Sequence, residues 1–176
     1  MKKTILILLT IFIAVASNSQ GRYNVIPYPN KLTSGDGEFI IKDKINITGN
    51  KEYLSELKIF QEIFRNQFSI ELSQNTKADI SINKDLNLVT NEYKIDITKS
   101  KISIDVNSAS ALFYALQTIR QLITLKGDGS YAIPVCNIAD SPAFRWRAFM
   151  LDESRHFKGM AIVKKMLDEM ALLKMN

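Results

Sequence analysis

Between Tyr93 and Val106 apolar and polar residues alternate through two short runs. Tyr93, Ile95 and Ile97 alternate with Lys94 and Asp96, then Ile102, Ile104 and Val106 with Ser103 and Asp105. A strand sends successive side chains to opposite faces, so this pattern demands a sheet with one buried face and an apolar layer to cover it. Lys99-Ser100 between the runs predicts a hairpin with a two-residue loop, its turn type left open by the lack of Gly or Asn. Ala78–Asn83 repeats the alternation with Ile80 and Ile82.

Two stretches supply the covering layer. In Lys51 to Phe68, Leu54, Leu57, Phe60, Phe64 and Phe68 recur at steps of three and four, the spacing of a helix with one apolar face. Asn50 is placed as its N-cap. The second helix runs from Ala109 to about Leu125 after the capping pair Asn107-Ser108. Its buried stripe is Leu112, Phe113, Leu116, Ile119, Leu122 and Ile123, and Gly127-Asp-Gly129 ends it.

The remaining strands are shorter. Tyr23–Asn30 holds two prolines and reads as extended, Ser34-Gly-Asp-Gly37 as a turn, and Glu38–Lys42 and Lys44–Thr48 as strands. Tyr131–Ile138 is a strand whose Pro134 predicts an edge position. Residues 21–140 therefore read as an α+β two-layer sandwich, a mixed or antiparallel sheet with two helices on it. They contain no nucleophile–base set, no Cys/His metal spacing and no phosphate-binding glycine loop. Cys136, the only cysteine, reads as a small buried strand residue, and no disulfide can form within the chain.

The first residues have a different character. Met1-Lys-Lys3, an apolar run from Thr4 to Val15 and the small residues up to Ser19 form the pattern of a cleaved secretory signal over residues 1–19. Cleavage after Ala16 or after Ser19 fits. No cysteine stands there for a lipid anchor, so the expectation is export to the periplasm or the outside without a membrane anchor. Net charge is +5, and +3 without Lys2 and Lys3. The lysines are dispersed and not interleaved with aromatics, which argues against nucleic acid as a partner.

After Asp140-Ser-Pro142 the pattern changes. Phe144–Leu151 reads as a strand that stops at Asp152. Gly159 to Lys174 reads as a helix with Ile162, Val163, Met166, Leu167, Met170 and Leu173 on one face. One strand and one helix cannot bury their own apolar faces. Either this unit packs on the preceding domain, or the sequence is the front of a longer chain, which is the reading preferred here.

Asp152 and Arg155 stand where α/β enzymes place polar groups, at the end of a strand before a helix. Arg155 suits paired hydrogen bonds to vicinal hydroxyls, but on residue types alone an Asp152–Arg155 ion pair that merely caps the turn is the commoner arrangement. His156, the only histidine, has no second His or Cys for a metal site and reads as structural. Trp146 and Phe157 are candidates for stacking on a sugar ring or for core packing.

The block Asp140-Ser-Pro-Ala-Phe-Arg-Trp-Arg-Ala-Phe-Met-Leu-Asp-Glu-Ser-Arg-His-Phe157, followed by Leu167-Asp-Glu-Met-Ala-Leu-Leu-Lys-Met-Asn176, resembles glycoside hydrolase family 20, the β-N-acetylhexosaminidases. Val25-Ile-Pro-Tyr-Pro-Asn30 and Ala111 to Leu122 are similar to the start and last helix of that family's N-terminal accessory domain. The resemblance implies an accessory domain over 21–140 and the first strand and helix of a (β/α)8 catalytic barrel over 141–176.

It further implies removal of terminal β-linked N-acetylglucosamine or N-acetylgalactosamine from glycans. The substrate's acetamido oxygen is the nucleophile, an exception to the two-carboxylate scheme. By resemblance Arg155 binds hydroxyls of the terminal sugar, with Asp152 and His156 in supporting positions. No metal or organic cofactor is implied. The family's Asp-Glu pair belongs to the fourth barrel strand, beyond Asn176, so no catalytic residue is assigned and the 176 residues alone are expected to be inactive. The alternative is a non-catalytic secreted module that binds a glycan or a protein.

Overall fold

The computed structural model describes residues 22–176 of the 176-residue sequence, so the expected signal segment lies outside the described residues. Strands β1 (Lys31–Ile41), β2 (Lys44–Thr48), β3 (Glu71–Gln74), β4 (Ile80–Lys84), β5 (Tyr93–Ile97), β6 (Ile102–Val106), β7 (Thr124–Leu125) and β8 (Tyr131–Asp140) form one mixed sheet. Its order is β1-β8-β5-β6-β4-β2-β3, with β7 beside the start of β8. Helices α1 (Leu54–Phe68) and α2 (Ala109–Leu122) lie on one face, and α3 (Met160–Leu172) follows the sheet. The two-layer α+β architecture is the expected one.

The alternation in β5 and β6 has the predicted consequence. Tyr93, Ile95, Ile97, Ile102, Ile104 and Val106 are buried under the helices. Phe60 and Phe64 of α1 meet them from above, Phe60 with its edge to Phe113 of α2 at 6.3 Å. The hairpin loop is closed by the Thr98 hydroxyl, which accepts from the Lys101 amide at 3.0 Å, so a side chain does what a glycine turn would otherwise do.

Several expectations need correction. A 3-10 turn, Lys51–Tyr53, precedes α1, and the Asn50 side chain caps nothing. The helix ends at Ser69, held left-handed at φ 57°, with the Ser69 and Ile70 amides donating back to Arg65 and Phe64. That closure is the one glycine usually provides. In contrast Ser108 caps α2 as expected, its hydroxyl accepting from the Ala111 amide at 3.2 Å. The helix stops at Leu122, so Thr124 and Leu125 are free to pair with β8, and Gly127-Asp-Gly129 turns between those two strands.

Ser34–Gly37 is not a free turn. It is a bulge within β1, where pairing to β8 slips between Ser34 and Glu38. Arg22 clamps it by donating to the carbonyls of Gly35 and Gly37. A Cβ on Gly35 would stand 2.6 Å from Val135, which explains the glycine. Pro134 is not on an edge strand either: β8 pairs with β1 on one side and with β7 and β5 on the other. It is tolerated because it stands beside the bulge and in the gap between the β7 and β5 ladders, where one donor fewer costs little. Cys136 is fully buried, and burial raises its thiol pKa to about 11.

Residues 144–151 form no strand. They are irregular, with a bend at Phe144 and Arg145 and no ladder partner, and Phe144, Trp146, Phe149 and Met150 are exposed. A strand needs a neighbouring strand for its backbone groups, and among the described residues none pairs with this segment, whose Arg145 and Arg147 backbone groups bond to Asn176 instead. For the same reason α3 keeps its helix but buries none of its expected apolar face fully: Val163, Met166 and Met170 are half-buried, and Ile162, Leu167 and Leu173 are exposed.

Candidate functional site

Asp152, Arg155 and His156 lie in the turn that joins the 144–151 segment to α3. The Asp152 Oδ1 atom accepts from the Ser154 and Arg155 amides at 3.0 and 3.1 Å. The Arg155 Nε atom lies 3.1 Å from Asp152 Oδ2, with the Arg155 side chain 85% exposed. Asp152 therefore shapes the turn and aims the arginine, whose terminal nitrogens face solvent. Glu153, next to it, accepts from the Lys158 amide at 2.8 Å and closes the loop towards α3. His156 and Phe157 are exposed, and no hydrogen bond or ion pair of His156 is seen among the described residues. The structure thus brings Asp152 and Arg155 together and leaves His156 apart.

A second polar cluster was not foreseen. Lys174, two residues past α3, is 5% exposed. Its Nζ donates to the Tyr93 hydroxyl at 2.7 Å and to Asp140 Oδ2 at 3.2 Å. The Tyr93 hydroxyl donates to the same carboxylate at 2.6 Å and lies 2.7 Å from Thr118 Oγ1. Asp140 Oδ1 accepts from the Asn30 amide at 3.1 Å. Burial lowers the Lys174 pKa, opposed by Asp140, and raises that of Tyr93, with the Asp140 charge adding to the rise.

Arg147 borders this cluster. Its guanidinium donates to the Lys174 carbonyl at 2.8 Å, to the Phe144 carbonyl at 2.6 Å and to the Tyr114 hydroxyl at 2.8 Å. Asn176 exchanges hydrogen bonds with the Arg147 backbone in both directions. Around these groups runs a cleft of about 250 Å³, with Pro27, Tyr28 and Phe144 on its walls. Its polar groups are turned towards one another. In the sequence Lys174 stands only as the last residue of the expected helix, with no role of its own. The available signal was its spacing, four residues after Met170 and seven after Leu167, on the apolar side of the helix pattern.

Residues 22–141 match the family model "Glycosyl hydrolase family 20, domain 2", and residues 144–176 match "Glycosyl hydrolase family 20, catalytic domain". The chain belongs to glycosyl hydrolase family 20. A beta-hexosaminidase of Porphyromonas gingivalis is 32% identical over 167 residues, covering 87% of this chain and 22% of its own. The solved β-N-acetylhexosaminidase of Bacteroides fragilis superposes with a TM-score of 0.76 at 29% identity, covering 86% of this chain and 32% of that one. An exo-β-N-acetylglucosaminidase of Vibrio harveyi, solved in complex with N-acetylglucosamine, gives 0.82 at 25% identity, covering 88% and 25%. This family-20 chain spans about a fifth to a third of the length of these relatives.

Proposed function

We propose that the chain is the N-terminal portion of an exported β-N-acetylhexosaminidase. The enzyme hydrolyses terminal β-linked N-acetylglucosamine or N-acetylgalactosamine by substrate-assisted, retaining catalysis. The observation that carries the reading is the order of the two family matches, an accessory domain followed at once by the opening of a catalytic domain. The N-acetylglucosamine held by the Vibrio harveyi relative supports the substrate class.

In this reading the exposed apolar side chains of 144–157 and α3 are covered by further barrel units, and Trp146 is then buried with them. Arg155 binds hydroxyls of the terminal sugar, aimed by Asp152. The acid and the acetamido-orienting carboxylate come from the later part of the barrel. A guanidinium held by one side of its fork keeps its other nitrogens for a diol, which is the geometry seen at Arg155.

The test compares two polypeptides. The 176 residues alone should release no chromophore from a β-N-acetylglucosaminide, whereas a product of the same gene extended through a full barrel should do so. Turnover by the short chain, or none by the long one, would refute the proposal. Export is checked separately by fractionating cells that express the natural gene.

A further inference from the structure

From Pro142 to Asn176 a single residue is buried, and it is a lysine. Every apolar side chain of α3 remains at least partly exposed. Val163, Met166, Met170, Ala171 and Leu172 are half-buried, so apolar contact holds the unit that carries Asp152 and Arg155 only in part. It is held by Lys174 inserted between β5, β8 and α2, by Arg147, which donates to the Tyr114 hydroxyl at 2.8 Å, and by Gln121 of α2, which donates to the Leu172 carbonyl at 3.0 Å.

We propose that the Lys174–Asp140–Tyr93 cluster is a positioning latch that fixes the orientation of residues 144–176 on the sandwich. Three properties of the cluster support it. First, a buried ion pair adds little net stability over an apolar pair of the same size, because desolvation offsets the attraction. The pair as a whole is therefore better suited to specifying geometry than to adding stability, whereas removing Lys174 alone strands the Asp140 carboxylate without its counter-charge and is costly. Second, the contacts are directional and mutually saturating. Asp140 Oδ2 takes both the Tyr93 hydroxyl and the ammonium, and a shift of α3 by one residue would leave a carboxylate and an ammonium buried apart. Third, the latch joins both ends of the unit. Asp140 ends β8, just before the segment that leads to Arg155, and Lys174 follows α3. Arg147 ties the two ends together through the Lys174 carbonyl.

Arg147 and Asp140 are the charged groups that face Lys174, with the phenols of Tyr93 and Tyr114. The latch itself stands apart from any sugar chemistry; only its consequence, a fixed direction for Arg155, rests on the function proposed above.

Hydrogen–deuterium exchange of the full chain tests the latch without an activity assay. Lys174→Met, and separately the isosteric Asp140→Asn, should speed exchange in peptides covering α3 and 144–158. The expected factor is about tenfold or more, the equivalent of 1.4 kcal/mol of local stability, with β6 and α2 unchanged. Lys158→Met, on the same unit but exposed, should change nothing. Three results would overturn the proposal: no acceleration in either variant that folds, equal acceleration throughout the sandwich, or a wild-type α3 that exchanges without protection. Should Lys174→Met fail to fold, Asp140→Asn decides, since it keeps the shape of the site. Activity of a longer enzyme plays no part in this readout, so the latch and the proposed function fail separately.

Discussion

The Lys174 ammonium lies 3.2 Å from the Asp140 carboxylate, and the Tyr93 hydroxyl bridges them at 2.7 and 2.6 Å. This places a titratable triad in the same interior as an otherwise apolar core. Asp140 closes the sheet's last strand, so the sandwich and the segment after it share one electrostatic contact. The apolar part of the fold decides that the sandwich forms; the triad bears on where the following unit sits.

The first prediction concerns alkaline pH. Burial raises the pKa of Tyr93 and Tyr23 above 10.0, that of Tyr53 to about 12, and that of Cys136 from 9.0 to about 11. A raised folded-state pKa gives stability that is fully present below the unfolded value and lost as pH rises through the folded one. Lys174 acts in the opposite sense, its folded pKa lying below 10.5, so its contribution rises with pH just under that value. Three phenols and a thiol outweigh one amine. The urea midpoint should therefore fall steadily from pH 9 to pH 11, and Cys136→Ala should flatten the part that begins near pH 9. A midpoint that stays level over this range contradicts the assignment.

A second prediction lies at the end of α1. Ser69 holds φ 57°, a conformation that costs a side chain about 1 kcal/mol or more and glycine almost nothing. Ser69→Gly should stabilise the chain by roughly 0.5–1 kcal/mol, allowing for glycine's looser unfolded state. Thermal unfolding of the two proteins side by side measures it, and a loss of stability would show that the Ser69 hydroxyl matters more than its backbone.

Phe60 is fully buried and touches Phe64 and Phe113, which join the two helices. Phe60→Ala should cost about 3–5 kcal/mol in urea unfolding, the usual range for emptying a well-packed aromatic site. A cost below about 1.5 kcal/mol would mean that the neighbours collapse into the space left by the ring.

The parts of this fold that are legible in the sequence are those with a period of their own. The stripe Leu57, Phe60, Phe64 and the alternation of β5 and β6 each repeat often enough to fix both type and face. β3 escapes notice because Glu71–Gln74 has one apolar residue, Leu72, and gains its identity from parallel pairing with β2. The bulge at Ser34–Gly37 is written in turn residues, yet Arg22 and β8 keep it within a strand. Phe144–Leu151 has strand-like composition and no partner to pair with. The Asp152–Arg155 pair is legible as residues and spacing, whereas Lys174 is not, since only the fold brings Asp140 and Tyr93 to it from 34 and 81 residues away.

The last prediction separates two roles for Arg155. Its pair with Asp152 is exposed, and such pairs contribute about 0.2–1 kcal/mol. Arg155→Ala should accordingly leave the unfolding midpoint of this chain nearly unchanged. If Arg155 holds the hydroxyls of a terminal sugar, the same substitution in an enzyme extended through a full barrel removes charge-assisted hydrogen bonds worth about 1.5–3 kcal/mol in transition-state binding. The corresponding loss in kcat/KM is roughly 10- to 100-fold. Asp152→Asn should show a smaller loss, because it keeps the turn but weakens the aim of the guanidinium. A large fall in stability with unaltered kinetics would make Arg155 a structural residue of the turn; unaltered stability with a large kinetic loss is the outcome that the exposed, half-engaged guanidinium predicts.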